Sequence, residues 1–159
     1  MSDNIFIMGN GGRLKIDTTA YEKMQPYIQS NPISNEAGGV LMGRLIKNSK
    51  DIVLDKVTVP MIGDKRTRYS FLRGWKMHQR LIDYNWEKSE GTCNYLGEWH
   101  THPEKYPSPS QQDLKDWKRK LKEDKYSTRY LYFLIVGINE ICLWEGDRRT
   151  SKIEKLKRV

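Results

Sequence analysis

The chain lacks the features that mark several large classes of protein. Its 159 residues include two cysteines, Cys93 and Cys142, which are too few and too far apart for a disulfide framework. No apolar run approaches the roughly 20 residues of a membrane-spanning helix. The apolar stretch from Ile5 to Met8 has no basic lead-in and is not a secretory signal. These absences predict a cytoplasmic protein that does not associate with a membrane.

The remaining composition is that of a globular domain with excess positive charge. Apolar residues make up 37% and charged residues 30%, and the length predicts a single domain over residues 1–159 with one core. Residues 115–159 hold thirteen Lys and Arg against seven Asp and Glu, a net of +6 within the total of +8. Part of this excess is a local run on a predicted helix, which we interpret as a solvated helix face: Lys115, Lys118, Arg119, Lys120, Lys122 and Lys125. The alternative is attraction to an acidic partner or to nucleic acid, but no nucleic-acid-binding motif is present and nucleic acid is not expected as a partner.

Histidine is also scarce, and two of the three histidines stand close together. His100 and His102 are two residues apart, so both project from one face of an extended segment. Pro103 then ends the strand, and Ser110 opens a helix whose first turn contains Asp113, where a carboxylate is favoured. Two imidazoles and one carboxylate suit zinc, and three protein ligands leave a fourth position for water. The pattern therefore predicts a catalytic zinc site.

Other interpretations of the same residue types remain open at this point. Ser110 and Asp113 also match a helix capping box, which involves no metal. His78 lies on an apolar helical stripe, which favours a packing role with a satisfied ring nitrogen. A catalytic thiol at Cys93 served by His100 would need a lowered pKa, and no neighbouring residue would lower it. Both cysteines are instead expected to be small buried residues.

A metal-activated water also needs a base, and two glutamates compete for that role. Glu98 lies two residues before His100 on the same strand face, so it could be a ligand or a base. Glu36 stands just before Gly38 and Gly39, whose lack of a side chain permits close backbone approach. The residues alone leave both assignments open.

Hydrophobic periodicity predicts alternating helices and strands. Three helices are expected, with stripes formed by Tyr21, Met24 and Ile28, by Trp75, His78, Ile82 and Trp86, and by Leu114, Trp117 and Leu121. A threonine at 18 or 19 should cap the first helix, which Pro26 shortens or kinks. Strands are expected over residues 12–16, 40–46, 52–59, 95–100, 130–138 and 141–144, with 67–72 a further candidate. The tail from Lys152 fits strand, helix or disorder. The sum is an α/β domain with a mixed central sheet flanked by helices.

These residues together resemble a known family. Glu36, the following Gly-Val-Leu-Met-Gly, His100-x-His102 and Ser110-x-x-Asp113 are similar at five functional positions to the JAB/JAMM (MPN-plus) metalloprotease signature. The resemblance implies a cytidine-deaminase-like JAB/MPN fold and a zinc peptidase or isopeptidase that acts at the C-terminus of ubiquitin or a ubiquitin-like protein. It also implies that His100, His102 and Asp113 bind one zinc ion, that Glu36 is the catalytic acid and base, and that Ser110 helps to stabilise the oxyanion.

Local sequence narrows the resemblance further. The segments Arg66-x-Arg68-Tyr-Ser-Phe71 and His78-Gln79, and residues 95–104, are similar to a bacterial subgroup found in CBASS anti-phage operons. That subgroup implies a protein substrate, a cGAS-like nucleotidyltransferase whose C-terminus has been joined to a lysine or α-amine of a target. Glu98 has no family role.

Two alternatives share the fold. One is a peptidase that matures or removes a bacterial ubiquitin-like or sulfur-carrier protein. The other is a non-catalytic MPN scaffold, although such relatives typically lack the ligands that this chain retains. In the enzymatic cases we expect the substrate tail to lie extended along a sheet edge, with residues 60–74 beside it.

Overall fold

The computed structural model describes residues 4–126 and 128–159. Its helices are α1 (Thr18–Met24), α2 (Trp75–Lys88) and α3 (Gln111–Glu123), with a short 3₁₀ turn over Gln25–Tyr27. Its strands are β1 (Asn4–Ile7), β2 (Arg13–Ile16), β3 (Gly38–Leu45), β4 (Ile52–Val57), β5 (Lys65–Thr67), β6 (Ser70–Leu72), β7 (Asn94–Thr101), β8 (Tyr130–Val136), β9 (Ile141–Asp147), β10 (Ile153–Lys155) and β11 (Lys157–Arg158).

Nine of these strands form one mixed sheet in the order β10-β9-β8-β7-β3-β4-β2-β1-β11. The pairs β2–β4 and β7–β8 are parallel, whereas the other neighbours run antiparallel. The remaining two strands, β5 and β6, form a separate antiparallel hairpin. The mixed sheet flanked by helices confirms the predicted α/β fold class.

Strand β8 separates two apolar layers, which is why its sequence is an almost unbroken apolar run. Leu131, Phe133 and Ile135 pack with Trp117 and Leu121 of α3. The alternate residues Tyr132, Leu134 and Val136 belong to the larger core on the opposite face, which also includes Ala20 and Met24 of α1. Because successive side chains of a strand point to opposite faces, helix α3 covers one face of the sheet and α1 the other. Strand β8 thus lies where the sequence predicts a strand, and it is buried on both faces.

The C-terminal tail joins the two edges of the sheet. Strand β10 pairs with β9 at one edge and β11 pairs with β1 at the other, yet only Leu156 separates β10 from β11. The Leu156 side chain is buried in the larger core, and its amide donates to the carbonyl of Leu143. The sheet is therefore curled so that its two edges come together at the tail. The secondary structure of this tail, which the sequence did not decide, is strand.

Three local predictions need correction. Helix α1 is capped by Asp17, whose carboxylate accepts from the Thr19 amide, and not by a threonine. Residues 67–72 are not one strand but the turn and second arm of the β5–β6 hairpin. On α2, Trp75 and Trp86 are 69% and 53% exposed, so the apolar stripe is buried only around His78. Spacing alone could not show that nothing covers the ends of the stripe.

The described helices were compared with the length and apolarity that a membrane-spanning helix needs. Within residues 4–126 and 128–159, none is both long enough and apolar enough to cross a bilayer.

Candidate metal centre

The candidate ligands come from a strand end and a helix start on the same side of the sheet. His100 is the seventh residue of β7, paired with Gly38 of β3 and Ile135 of β8. His102 follows the strand, where its amide donates to the carbonyl of Val136 at 3.1 Å. Since His100 and His102 are two residues apart in an extended segment, their rings share the face that α3 covers. Asp113 lies in the first turn of α3.

Three side-chain atoms of these residues converge. The Nε2 atoms of His100 and His102 are 3.0 Å apart, and Asp113 Oδ2 lies 3.3 Å from the first and 3.1 Å from the second. Tetrahedral zinc with bonds of about 2.0–2.2 Å separates its ligand atoms by roughly 3.3–3.5 Å. The spacing and the donor set of two imidazoles and one carboxylate therefore fit zinc, and we treat these three residues as its candidate ligands.

The capping box and the candidate ligand set use the same aspartate. Ser110 Oγ accepts from the Asp113 amide at 3.0 Å, and Asp113 Oδ2 accepts from the Ser110 amide at 2.9 Å. Burial would raise the pKa of Asp113, but hydrogen bonds from His100 and His102 outweigh it and hold the pKa well below its usual range. The two interpretations of Ser110 and Asp113 are therefore compatible, because the cap fixes the carboxylate that faces the imidazoles.

The orientation of the His102 ring is set by a residue that the sequence did not single out. Glu104 Oε1 lies 2.7 Å from His102 Nδ1, which assigns the Nδ1 proton to that bond and leaves Nε2 for a metal. Burial lowers the pKa of His102, but hydrogen bonds to Asp113 and Glu104 outweigh it and the net shift is upward. The sequence did contain a signal for this contact, since an acidic residue two positions after His102 can reach the same ring.

Glu36 lies beside the candidate ligands in the loop that leads into β3. Its side chain is buried, and a carboxylate oxygen lies within 4.8 Å of a ring nitrogen of both His100 and His102. Burial raises the pKa of Glu36 to about 7, although the two imidazoles act against that rise and Asp113 adds to it. A carboxyl group with a pKa near neutral is suited to accept and return a proton. The glycines after Glu36 allow the predicted close approach, because a Cβ on Gly39 would lie 2.1 Å from the carbonyl oxygen of Thr58.

Glu98, the competing glutamate, is already paired. Its carboxylate accepts from Arg73 at 3.1 Å and from Lys120. Burial raises the pKa of Glu98, but the two cations outweigh it and the net shift is downward. A carboxylate held by two cations is a poor proton acceptor, so the structure favours Glu36 as the candidate base.

The remaining candidates occupy the interior. Both nitrogens of His78 are hydrogen-bonded, Nδ1 to Thr58 Oγ1 at 2.6 Å and Nε2 to Asp64 Oδ2 at 2.9 Å, which confirms the predicted packing role. Cys93 and Cys142 are buried free thiols, and burial raises the pKa of each. The thiolate form is therefore disfavoured, which argues against a catalytic cysteine.

Comparison with known proteins agrees with the fold. Residues 29–147 match the family model of prokaryotic homologs of the JAB domain. A protein from Escherichia coli named CD-NTase/cGAS isopeptidase is 32% identical over 158 residues, which cover 99% of this chain and 96% of that protein. A protein of the same name from Pseudomonas aeruginosa is 35% identical over 130 residues, which cover 82% and 80% of the two chains.

A solved structure supports the fold independently. The solution structure of a protein from Desulfitobacterium hafniense superposes with a TM-score of 0.57 at 20% identity and covers 88% of this chain and 87% of that one. The fold and the site thus define a class: an α/β domain with a candidate metal-binding donor set at the end of a central strand. Within that class, the chain belongs to the family of prokaryotic JAB-domain proteins.

Proposed function

We propose that this protein is a zinc-dependent isopeptidase that removes a cGAS-like nucleotidyltransferase from the proteins to which its C-terminus has been joined. The observation that carries the hydrolytic part is the convergence of His100, His102 and Asp113 beside the buried carboxyl of Glu36. The substrate part is supported by the relatives, which are named CD-NTase/cGAS isopeptidases and align over 99% and 82% of the chain.

In this proposal His100, His102 and Asp113 hold one zinc ion. A zinc ion in such a site acts as a Lewis acid, polarising the scissile carbonyl and acidifying the attacking water. Glu36 accepts the proton of that water and then returns it to the departing amine, so one carboxyl group acts as base and acid in turn. Burial raises the pKa of Glu36, which favours a carboxyl group that takes up the proton and gives it back.

Ser110 has a separate role. Its oxygen accepts the Asp113 amide hydrogen, so its own proton remains to donate to the oxygen of the scissile carbonyl as negative charge develops there. Donors of this kind stabilise the transition state of acyl transfer. The substrate tail would lie extended along a sheet edge beside residues 60–74, with backbone hydrogen bonds holding it.

The test uses purified, zinc-loaded protein and two substrates with the same C-terminal segment of a cGAS-like nucleotidyltransferase. In one the C-terminal carboxyl is joined to a lysine ε-amine, and in the other it continues as a linear α-peptide. We expect cleavage of the lysine-linked conjugate. Preference for the linear substrate would instead favour a maturing peptidase, and failure to cleave either would contradict the proposed function.

Two variants test the assignment of the base. Glu36→Gln should retain zinc and lose about 10²–10⁴-fold in kcat. Glu98→Gln removes the competing carboxylate, and its main effect should be on stability because it disrupts buried ion pairs. If Glu98→Gln were the inactive variant and Glu36→Gln cleaved normally, the assignment of Glu36 would be wrong.

A further inference from the structure

The backbone of Glu36 is held by the β5–β6 hairpin. Its amide donates to the carbonyl of Thr67 at 2.7 Å, and its carbonyl accepts from Arg66 Nε at 3.0 Å. Glu36 lies outside the helices and strands, so no regular ladder fixes this residue. Both of its backbone polar groups thus depend on a hairpin that lies far along the chain, with Arg66 30 residues after Glu36.

The hairpin also packs directly on the chain that follows Glu36. A Cβ added to Gly38 would lie 2.7 Å from the ring of Phe71 in β6 and 2.5 Å from the carbonyl oxygen of Trp99. Real Cβ atoms do not approach other atoms this closely, so the hairpin and β7 leave room there for a glycine only. The loop with Glu36 is therefore confined between the hairpin and the strand that carries His100.

The two ends of the hairpin are anchored independently of these contacts. Asp64 accepts from the Gly74 amide at 2.7 Å and from His78 Nε2 at 2.9 Å, which joins the ends of the segment to each other and to α2. Arg73, just after β6, pairs with Glu98 of β7 at 3.1 Å. The hairpin is thus a fixed support, and removing a contact with Glu36 should not release it from the fold.

Arg66 is the side chain that transmits this support to Glu36. Besides its bond to the Glu36 carbonyl, its guanidinium lies 5.7 Å from the centre of the Tyr27 ring, which adds a cation–π contact. Catalytic groups must be held to within about 0.5 Å of their productive geometry, and a misplacement of about 1 Å can cost about 10²-fold in rate. The Glu36 side chain is buried, so a shift of its backbone displaces the carboxylate directly.

We infer that Arg66 is a positioning residue for the reaction, acting on Glu36 through its backbone carbonyl and not through the candidate metal ligands. This inference rests on the proposed function of Glu36 as acid and base. It assigns a second role to the hairpin: the element expected beside the substrate tail also sets the position of the base.

The test compares Arg66→Met with Arg68→Met in the zinc-loaded, full-length chain. Methionine keeps an apolar stem and removes the guanidinium donors. Arg68 is a matched control because it also donates to backbone carbonyls of the preceding loop, those of Asn31 at 2.8 Å and Ser34 at 3.4 Å, but not to Glu36. Arg66→Lys tests rescue, since an ammonium group can donate a single hydrogen bond to the same carbonyl.

We expect Arg66→Met to lower kcat by at least about tenfold with KM changed by less than about twofold, and to retain one zinc per chain. Arg68→Met should keep kcat near that of the unaltered protein, and Arg66→Lys should recover part of the loss. A normal kcat in Arg66→Met, an equal loss in both methionine variants, or a loss seen only in KM would overturn the inference.

A second measurement needs no substrate. Hydrogen exchange of the Glu36 amide should be faster in Arg66→Met than in Arg68→Met, because the bond to Thr67 loosens when the carbonyl is released. Equal exchange in the two variants would overturn the role of Arg66 whether or not the protein cleaves a conjugate. Failure of the unaltered protein to cleave either substrate would refute the proposed function while leaving the exchange result interpretable.

Discussion

The two sides of the candidate site are built in different ways. The candidate ligands sit on regular elements, with His100 inside β7 and Asp113 in a capped first turn of α3. Glu36 lies in a loop, and the hydrogen bonds of its own amide and carbonyl come from the β5–β6 hairpin. On the ligand side, the sheet and the helix therefore fix the positions of the candidate ligands. The Glu36 side depends on a few specific long-range contacts, so substitutions on the two sides should have different signatures.

The largest effect is expected on the ligand side. Asp113→Ala removes one of three candidate ligands. Loss of a group that merely supports a ligand costs about 10–100-fold in metal affinity, so loss of the ligand itself should lower zinc affinity by more than this. Isothermal titration calorimetry with zinc measures the affinity. Asp116→Ala, which removes an acidic residue from the same helix, is the control, and equal zinc affinity in the two variants would contradict the ligand assignment.

Ser110→Ala sharpens the comparison because it affects both the cap and the proposed oxyanion donor. We expect kcat to fall about 10²–10³-fold and stability to fall by about 1 kcal/mol through loss of the cap. Ser110→Thr keeps a hydroxyl group and should restore most of both. A large stability loss with normal kcat would show that Ser110 is a cap and nothing more.

Glu104→Gln tests whether the ligand side also relies on a supporting residue. The neutral amide still accepts from His102 Nδ1 but no longer stabilises the charge, so zinc affinity should fall by about 10-fold, within the range for such partners. Glu87→Gln on the exposed side of α2 provides a matched control. Unchanged zinc affinity in Glu104→Gln would show that the contact of 2.7 Å does not tune the ligand.

His78→Ala should have the smallest catalytic effect, because His78 contacts Asp64, just before the first strand of the hairpin. The change leaves the buried Asp64 carboxylate without one of its donors, which costs about 1–3 kcal/mol while the backbone donors of Met61 and Gly74 remain. Chemical denaturation measures the loss, with Gln79→Ala as the neighbouring exposed control. If unfolding free energy were unchanged, the buried Thr58–His78–Asp64 chain would not anchor the hairpin.

Sequence reasoning predicted that the three candidate ligands lie together, because the information for this is local. The spacing of His100, His102 and Asp113 follows from strand and helix periodicity, and the same periodicity located α3 and the central strand β8. A choice between Glu36 and Glu98 required the structure, because the pairing of Glu98 with Arg73 and Lys120 joins three distant parts of the chain.

The Glu36 side was predictable only in outline. Residues 60–74 were placed beside the site, but their hairpin is short and mostly exposed, so it carries little hydrophobic pattern. The contact between Arg66 and the Glu36 carbonyl leaves no periodic signal at all. The exposure of Trp75 and Trp86 could not be predicted either, because burial depends on what packs over a helix and not on the spacing of its residues.

Anomalous diffraction at the zinc edge, from crystals of the zinc-loaded protein, tests the central claim most directly. The account predicts one strong anomalous peak about 2.0–2.2 Å from each of His100 Nε2, His102 Nε2 and Asp113 Oδ2. The Glu36 carboxylate should lie beside the peak but outside bonding distance. A peak bonded to other residues, or no peak between these three side chains at saturating zinc, would contradict it.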